Sequence, residues 1–225
     1  MISFKGRHFH QALILQAIRW YVAYPLSYRQ IKEMMQERGY DVDHTTIQRW
    51  VVHYCPLLEK AFQKKKRQPN GRWRLDETYI KVKGQWKYLY RAVDKAGHTI
   101  DFLLTAKRDQ KAALRFLKKA IRRNTQPSLI NMDKSGANKA AVKAYNQAND
   151  QTIEIRQVKY LNNMAEQDHR GVKRITRPMM GFQNFHSAQK TLKGIELMHM
   201  IKKGQIKKHY RGNLSPAEQF YALVG

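Results

Sequence analysis

Acidic residues are scarce. The 225-residue chain carries 17 Asp and Glu against 43 Lys and Arg, a formal charge of +26 at pH 7. An imbalance of that size repels itself until a polyanion neutralises it. Nucleic acid is the expected polyanion, because phosphate contacts dominate its affinity for proteins. Cysteine is almost missing. Cys55 stands alone, so neither an internal disulfide nor a cysteine-based zinc site can form. No run approaches the roughly 18 apolar residues of a membrane span. The best apolar run near the start, ALILQAI, is short and followed by Arg19, which is no secretion signal. A basic membrane-surface protein would need a sustained amphipathic helix with clustered exposed aromatics, and none is present. HExxH, the P-loop and GxGxxG are missing too, which removes the commonest metalloprotease, nucleotide and dinucleotide signatures. The expected location is the cytoplasm, beside the nucleoid, with no membrane partner.

What is present begins with helical spacing. Phe9, Leu13, Ala17, Ile18, Tyr21 and Val22 predict a helix over residues 9–24, stopped by Pro25. Ser27 with Gln30 reads as a capping box opening a second helix, and Gly39 fits its stop. Thr45 with Gln48 reads as the next box, opening a third helix that ends near Pro56. Two short helices joined by a glycine-containing turn read as helix-turn-helix. The outward residues of its second helix, Thr46, Gln48, Arg49 and His53, can all bond bases or phosphates. The competing reading is a small bundle with a merely solvated face. Residues 63–72, QKKKRQPNGR, read as a basic linker.

From Trp73 the pattern changes to strands. WRLDETYIKV, WKYLYRAVD and TIDFLLTAKR, separated by glycine-containing turns, predict an antiparallel meander. A helix over 109–123, a short buried strand SLINMD, a helix in ANKAAVKAYNQA and a strand TIEIRQV follow. A meander followed by alternating α and β implies a mixed α/β sheet with helices on its faces, the element order of the ribonuclease-H-like fold. The expected domains are residues 1–62 (helix-turn-helix), 63–72 (linker), 73–182 (catalytic core) and 183–225 (a C-terminal helical extension of that core).

Against so basic a background, three acids stand out: Asp76 within the first β run, Asp133 at the end of the fourth, and Glu166 in a helix-like run. An acid inside an apolar strand is costly unless paired or metal-bound. Three carboxylates from separate elements suit two divalent ions about 3.5–4 Å apart, which serve both ends of an in-line phosphoryl displacement. Magnesium, a hard cation, takes such oxygen ligands. For Asp133, before Lys134 and Gly136, the competing reading is a turn cap. Glu77 should point to the opposite sheet face from Asp76. Arg170 and Lys173, four and seven residues after Glu166, share its helix face and could hold a substrate phosphate. Asp168, about 200° away, is expected in solvent, and His169 receives no role.

The segments WRLDETYIKVKGQWKYLYRAVD, DKSGAN and NNMAEQDHRGVKRITRPMMGFQNFHSAQKTLKGIE, together with LSYRQIKEMMQERG, resemble the bacterial DDE transposases of insertion sequence family six. That resemblance implies that Asp76, Asp133 and Glu166 are the DDE metal ligands, and that Lys173 is the basic residue often found seven positions after the glutamate. It implies a ribonuclease-H-like core, dependence on magnesium (or manganese), and a homo-oligomer on paired transposon ends. It also implies cleavage at terminal inverted repeats, strand transfer into target DNA, and replicative fusion of donor and target. Met132 stands where the family usually has threonine. Two other readings are compatible with the motifs: a non-catalytic DNA-binding regulator, and a structure-selective nuclease of the same fold.

Overall fold

The structure is a computed structural model, and it describes all residues except Met1, Arg7, Gln151 and Gly225. The chain divides into two compact units, residues 68–171 and a second assembled from residues 1–67 and 172–225.

The unit that contains the start of the chain is helical. It contains α1 (Gln11–Ala23), α2 (Tyr28–Gln36), α3 (His44–Lys65), α7 (Phe185–Lys202), α8 (Lys208–Arg211) and α9 (Pro216–Tyr221). Ser27 and Gln30 make the expected capping box on α2. Gly39 follows at φ +77°, a left-handed conformation that side chains other than glycine's resist. The third helix departs from expectation at both ends. Its N-cap is Asp43, not Thr45, because the Asp43 carboxylate accepts both the Thr45 amide (2.8 Å) and hydroxyl (2.6 Å). Those bonds hold the exposed Asp43 carboxyl down at about 2. Nor does Pro56 end the helix; α3 runs through it to Lys65. Leu58 and Phe62, beyond the proline, are fully buried, and their burial outweighs one lost backbone hydrogen bond. Much of the expected linker is therefore ordered. Lys66 bridges to Ile206, and the Arg67 amide bonds the Gln205 carbonyl.

The C-terminal segment, expected as an extension of the catalytic core, packs instead on α1 and α3 through α7. Gly194 permits the close approach. A Cβ there would stand 2.4 Å from Cys55 Sγ and 2.8 Å from Val22 Cγ1. The Ser215–Glu218 capping box on α9, with Pro216 at its first turn, is as expected.

The other unit is built on a five-stranded mixed sheet of order β3-β2-β1-β4-β5. Its strands are β1 (Arg72–Val82), β2 (Gln85–Asp94), β3 (Thr99–Thr105), β4 (Leu129–Met132) and β5 (Glu154–Arg156). β1, β2 and β3 form the antiparallel meander; β4 and β5 add in parallel on the other side of β1. This is the ribonuclease-H-like α/β arrangement anticipated from the element order. On one face Trp73, Leu75, Tyr90, Ile130 and Met132 join Phe116 and Leu117 of α4 (Gln110–Arg123) and Val142 of α5 (Gly136–Asn149) in the core. A 3₁₀ turn (Lys159–Asn162) then leads into α6 (Asn163–Thr176). No helix among the described residues is long and apolar enough to cross a membrane.

Candidate active site

β1 is central, and its alternation sorts its acids. Trp73 and Leu75 face the α4/α5 core, so Asp76 faces the opposite side and Glu77 the core side. The parallel ladder with β4 pairs Leu75 with Met132. The ladder ends there, and Asp76 and Asp133 are the next residues along the two chains. Met132 itself is fully buried in the core, so a methionine before Asp133 takes nothing from the carboxylates.

Asp133 lies just beyond β4. Its Oδ1 accepts the Ser135 amide at 3.0 Å, so the turn-capping reading is correct as far as that oxygen goes. Its other oxygen lies 3.6 Å from Arg108 Nη2, and the side chain is 42 % exposed. Arg108 also forms an ion pair with Glu77, whose carboxylate accepts from Asn138 Nδ2 at 3.0 Å. Burial pushes the Glu77 carboxyl up, Asn138 and Arg108 pull it back, and the neighbouring Asp133 and Asp76 push it up again. Glu77 thus points away from Asp76, as alternation requires, yet shares an arginine with Asp133. That link was invisible in sequence, because Arg108 lies 31 residues away on the loop after β3.

The polar side of the sheet fastens α6. Asn131 Nδ2 donates to Asn162 Oδ1 (3.1 Å) and to the Val158 carbonyl (3.2 Å), and Asn162 Nδ2 donates to the Leu75 carbonyl (3.2 Å). Further along α6, His169 Nε2 meets Asp76 Oδ2 at 3.0 Å. Next to it, Asp168 Oδ2 accepts from Arg91 Nη2 at 2.6 Å. Arg91 is the cross-strand partner of Asp76 on β2. The structure places both residues differently from the sequence expectation. Asp168, expected in solvent, is only 8 % exposed, and His169, given no role, is buried against Asp76. The available signal was the apolar line Ala165, Val172 and Ile175, which includes position 168 at helical spacing.

Glu166 lies in the first turn of α6, between the anchor at Asn162 and those at Asp168 and His169. Its side chain is exposed, as is that of Arg170. Lys173, half-buried, follows two turns after Glu166 on the same helix face. Among the described residues no group of three His, Cys, Asp or Glu side chains is assembled to hold a metal ion. In donor chemistry alone, carboxylates suit a hard divalent cation; Asp76 lies on β1, Asp133 just beyond β4, and Glu166 on the helix whose His169 bonds Asp76.

Of the candidate DNA-reading residues, Gln48, Arg49 and His53 are exposed on α3 and Thr46 is half-buried. Cys55 is fully buried and burial pushes its thiol up, which removes it as a nucleophile.

A family model described as a DDE domain matches residues 70–205. The transposase for insertion sequence-like element IS431mec of Staphylococcus aureus is 41 % identical over 208 residues, covering 90 % of this chain and 90 % of that protein. The transposase for insertion sequence element IS257 in transposon Tn4003, also from Staphylococcus aureus, is 40 % identical with the same coverage. Among solved structures, the HTLV-2 integrase catalytic core domain in complex with magnesium is similar with a TM-score of 0.46 and 18 % identity. That match covers 59 % of this chain and 88 % of the integrase core. The catalytic core domain of BIV integrase gives 0.42 and 14 %, covering 56 % and 82 %.

Proposed function

The chain belongs to the DDE transposases of insertion sequence family six, enzymes of DNA strand cleavage and strand transfer, and from that premise we propose how its residues divide the work. Asp76, Asp133 and Glu166 are the metal ligands, for two magnesium ions that manganese can replace. The observation that carries this is the β1/β4 ladder, beyond whose end Asp76 and Asp133 are the next residues, with α6 anchored to the same side of the sheet through His169 and Asp168. These three carboxylates would hold the divalent ions, which would supply activation of the attacking oxygen and neutralisation of charge on the departing one.

The protein's own groups do the rest. His169 fixes the orientation of Asp76, and Arg108 offsets the negative charge of Asp133 and Glu77. Arg170 and Lys173 hold the substrate phosphate by charge-assisted hydrogen bonds. Thr46, Gln48, Arg49 and His53 of α3 read the terminal inverted repeats, with α2 and α3 as the helix-turn-helix pair. In the first step water attacks the phosphodiester at the element's end and releases a 3′ hydroxyl. That hydroxyl then attacks target DNA, displacing a 3′ oxygen and joining the strands. Transposition is replicative, fusing donor and target, and the active form is a homo-oligomer on paired ends.

The test combines the purified protein, magnesium, DNA carrying the element's ends and a target plasmid. Joined strands should form with the native protein. With Asp133→Asn they should fall at least ~100-fold, the order expected when a group that stabilises transition-state charge is lost, while end binding persists. End binding without nicking or joining in either magnesium or manganese would refute the catalytic assignment.

A further inference from the structure

The charge on α4 is arranged rather than scattered. The helix contains Lys111, Arg115, Lys118, Lys119, Arg122 and Arg123, and no acid. The structure separates these into two sets. Lys119 Nζ lies 2.5 Å and Arg123 Nη1 3.5 Å from Oδ1 of Asp101, a fully buried carboxylate on β3. Those two cations neutralise a buried acid. The other four, Lys111, Arg115, Lys118 and Arg122, are exposed. The acid nearest to them in sequence, Asp109, is committed to the N-cap, where its Oδ1 accepts the Ala112 amide at 2.8 Å.

Steps of four, three and four residues return to nearly the same side of a helix, so these four cations form one straight row within about 60° of arc and about 16 Å long. The row borders a shallow groove closed by Leu103 of β3 and Leu114. Both leucines pack on the core, so the floor of the groove is fixed. β3 is the edge strand of the sheet, which leaves this side of the unit accessible within the unit itself.

Such a row is unfavourable to the isolated protein. Like charges four apart, Lys111 with Arg115 and Lys118 with Arg122, repel each other on a helix. Lys111 in the first turn opposes the helix dipole. A solvated helix face has no need of that alignment; a linear polyanion does. Duplex DNA presents a phosphate every ~3.4 Å of axis along each strand, so a ~16 Å row of cations spans several consecutive phosphates.

We infer that the outer face of α4 is a second DNA-binding surface, gripping the phosphate backbone of duplex DNA without reading its sequence. It belongs to neither the α3 surface nor the carboxylate site, and the inference does not depend on which carboxylates hold metal. Its role is to hold a length of DNA outside the recognised ends.

The test uses the full-length protein without divalent metal and a labelled duplex of arbitrary sequence, with binding measured across a range of salt. The ridge variant carries Lys111→Gln, Arg115→Gln, Lys118→Gln and Arg122→Gln. A control variant carries Lys81→Gln, Lys95→Gln, Lys139→Gln and Lys143→Gln, also exposed and equal in lost charge. Circular dichroism and the melting temperature establish that both are folded. Each phosphate contact contributes about 0.9 to the slope of log K against log salt. The ridge variant should therefore flatten that slope by about 3.6 and weaken binding at least tenfold at moderate salt, and the control by much less. Equal losses in ridge and control would overturn the inference, leaving only net charge. So would an unchanged slope in the ridge variant accompanied by an altered oligomeric state, which would make the face a contact between copies. If the native protein itself failed to bind the duplex, both this inference and the transposase mechanism would fall. Binding with no strand joining would cost only the mechanism.

Discussion

Asp168 and His169 are consecutive on α6 and meet consecutive requirements of the sheet. Asp168 answers the buried Arg91 guanidinium, and His169 answers the Asp76 carboxylate. Arg91 is 1 % exposed and Asp168 8 %, so this is a buried pair. Removing one partner of such a pair is far more costly than the pair's own net contribution. Asp168→Ala should accordingly destabilise the protein by about 3–5 kcal/mol, measured by urea unfolding; a loss under ~1 kcal/mol would mean the pair is not desolvated in solution. Neither contact was legible in the sequence. The three acids proposed as ligands stand out in the sequence only because each interrupts an otherwise basic or apolar stretch. Asp168 was hidden by the choice of reference face, having been judged by its angle from Glu166 rather than by its place in the line of Ala165, Val172 and Ile175. Arg108 and Asn138, which hold Glu77 on the core side, were hidden for a plainer reason: only the tertiary fold brings them there.

Among the elements, α3 departs furthest from its local signals. Proline in a helix interior removes one backbone hydrogen bond and crowds the preceding turn, and by that rule the helix should have ended at Pro56. It continues because Leu58 and Phe62 lie on the same buried face as Ile47, Val51 and Tyr54, and α7 packs on that helix. Pro56 is only half-buried, so replacing it loses little packing. Pro56→Ala should therefore stabilise the helical unit by about 1–3 kcal/mol, visible as a raised denaturant midpoint. No gain, or a loss, would show that the proline ring is a needed packing element. The strands were easier to read than this helix. Three β-rich runs, bounded by Lys83–Gly84 and Gly97 at positive φ, specify a meander locally. The partner of α7 is not specified locally at all. The helix's close approach to Cys55 of α3 and Val22 of α1 depends on the side chain missing at Gly194 of α7 itself, a tertiary fit that local signals do not encode.

At the scale of the whole molecule the dominant fact is the +26 charge. Composition alone pointed to a polyanion, and the structure shows how few acids remain to offset it. Asp94, Asp101 and Asp168 are committed to His98, to Lys119 with Arg123, and to Arg91. The 17 acids can offset at most 17 of the 43 cations, and repulsion among the excess positive charge opposes the compact state. That repulsion acts over a Debye length, about 10 Å at 0.1 M salt, and is screened as the salt rises. Hydrophobic burial is not weakened by sodium chloride over the same range, so screening should decide the sign. The melting temperature of the DNA-free protein should rise between about 0.05 and 0.3 M sodium chloride. A gain of about 1 kcal/mol corresponds to roughly 2–4 °C for a chain of this length. Duplex DNA at low salt should raise it as well, because a ligand that binds the folded state stabilises it by mass action. The two effects should then oppose each other: with DNA present, added salt releases the duplex and the melting temperature should fall before screening recovers it. A melting temperature that fell with salt in the absence of DNA would mean that attractive ion pairs outweigh repulsion, and relief of repulsion would not then be how bound DNA stabilises the fold.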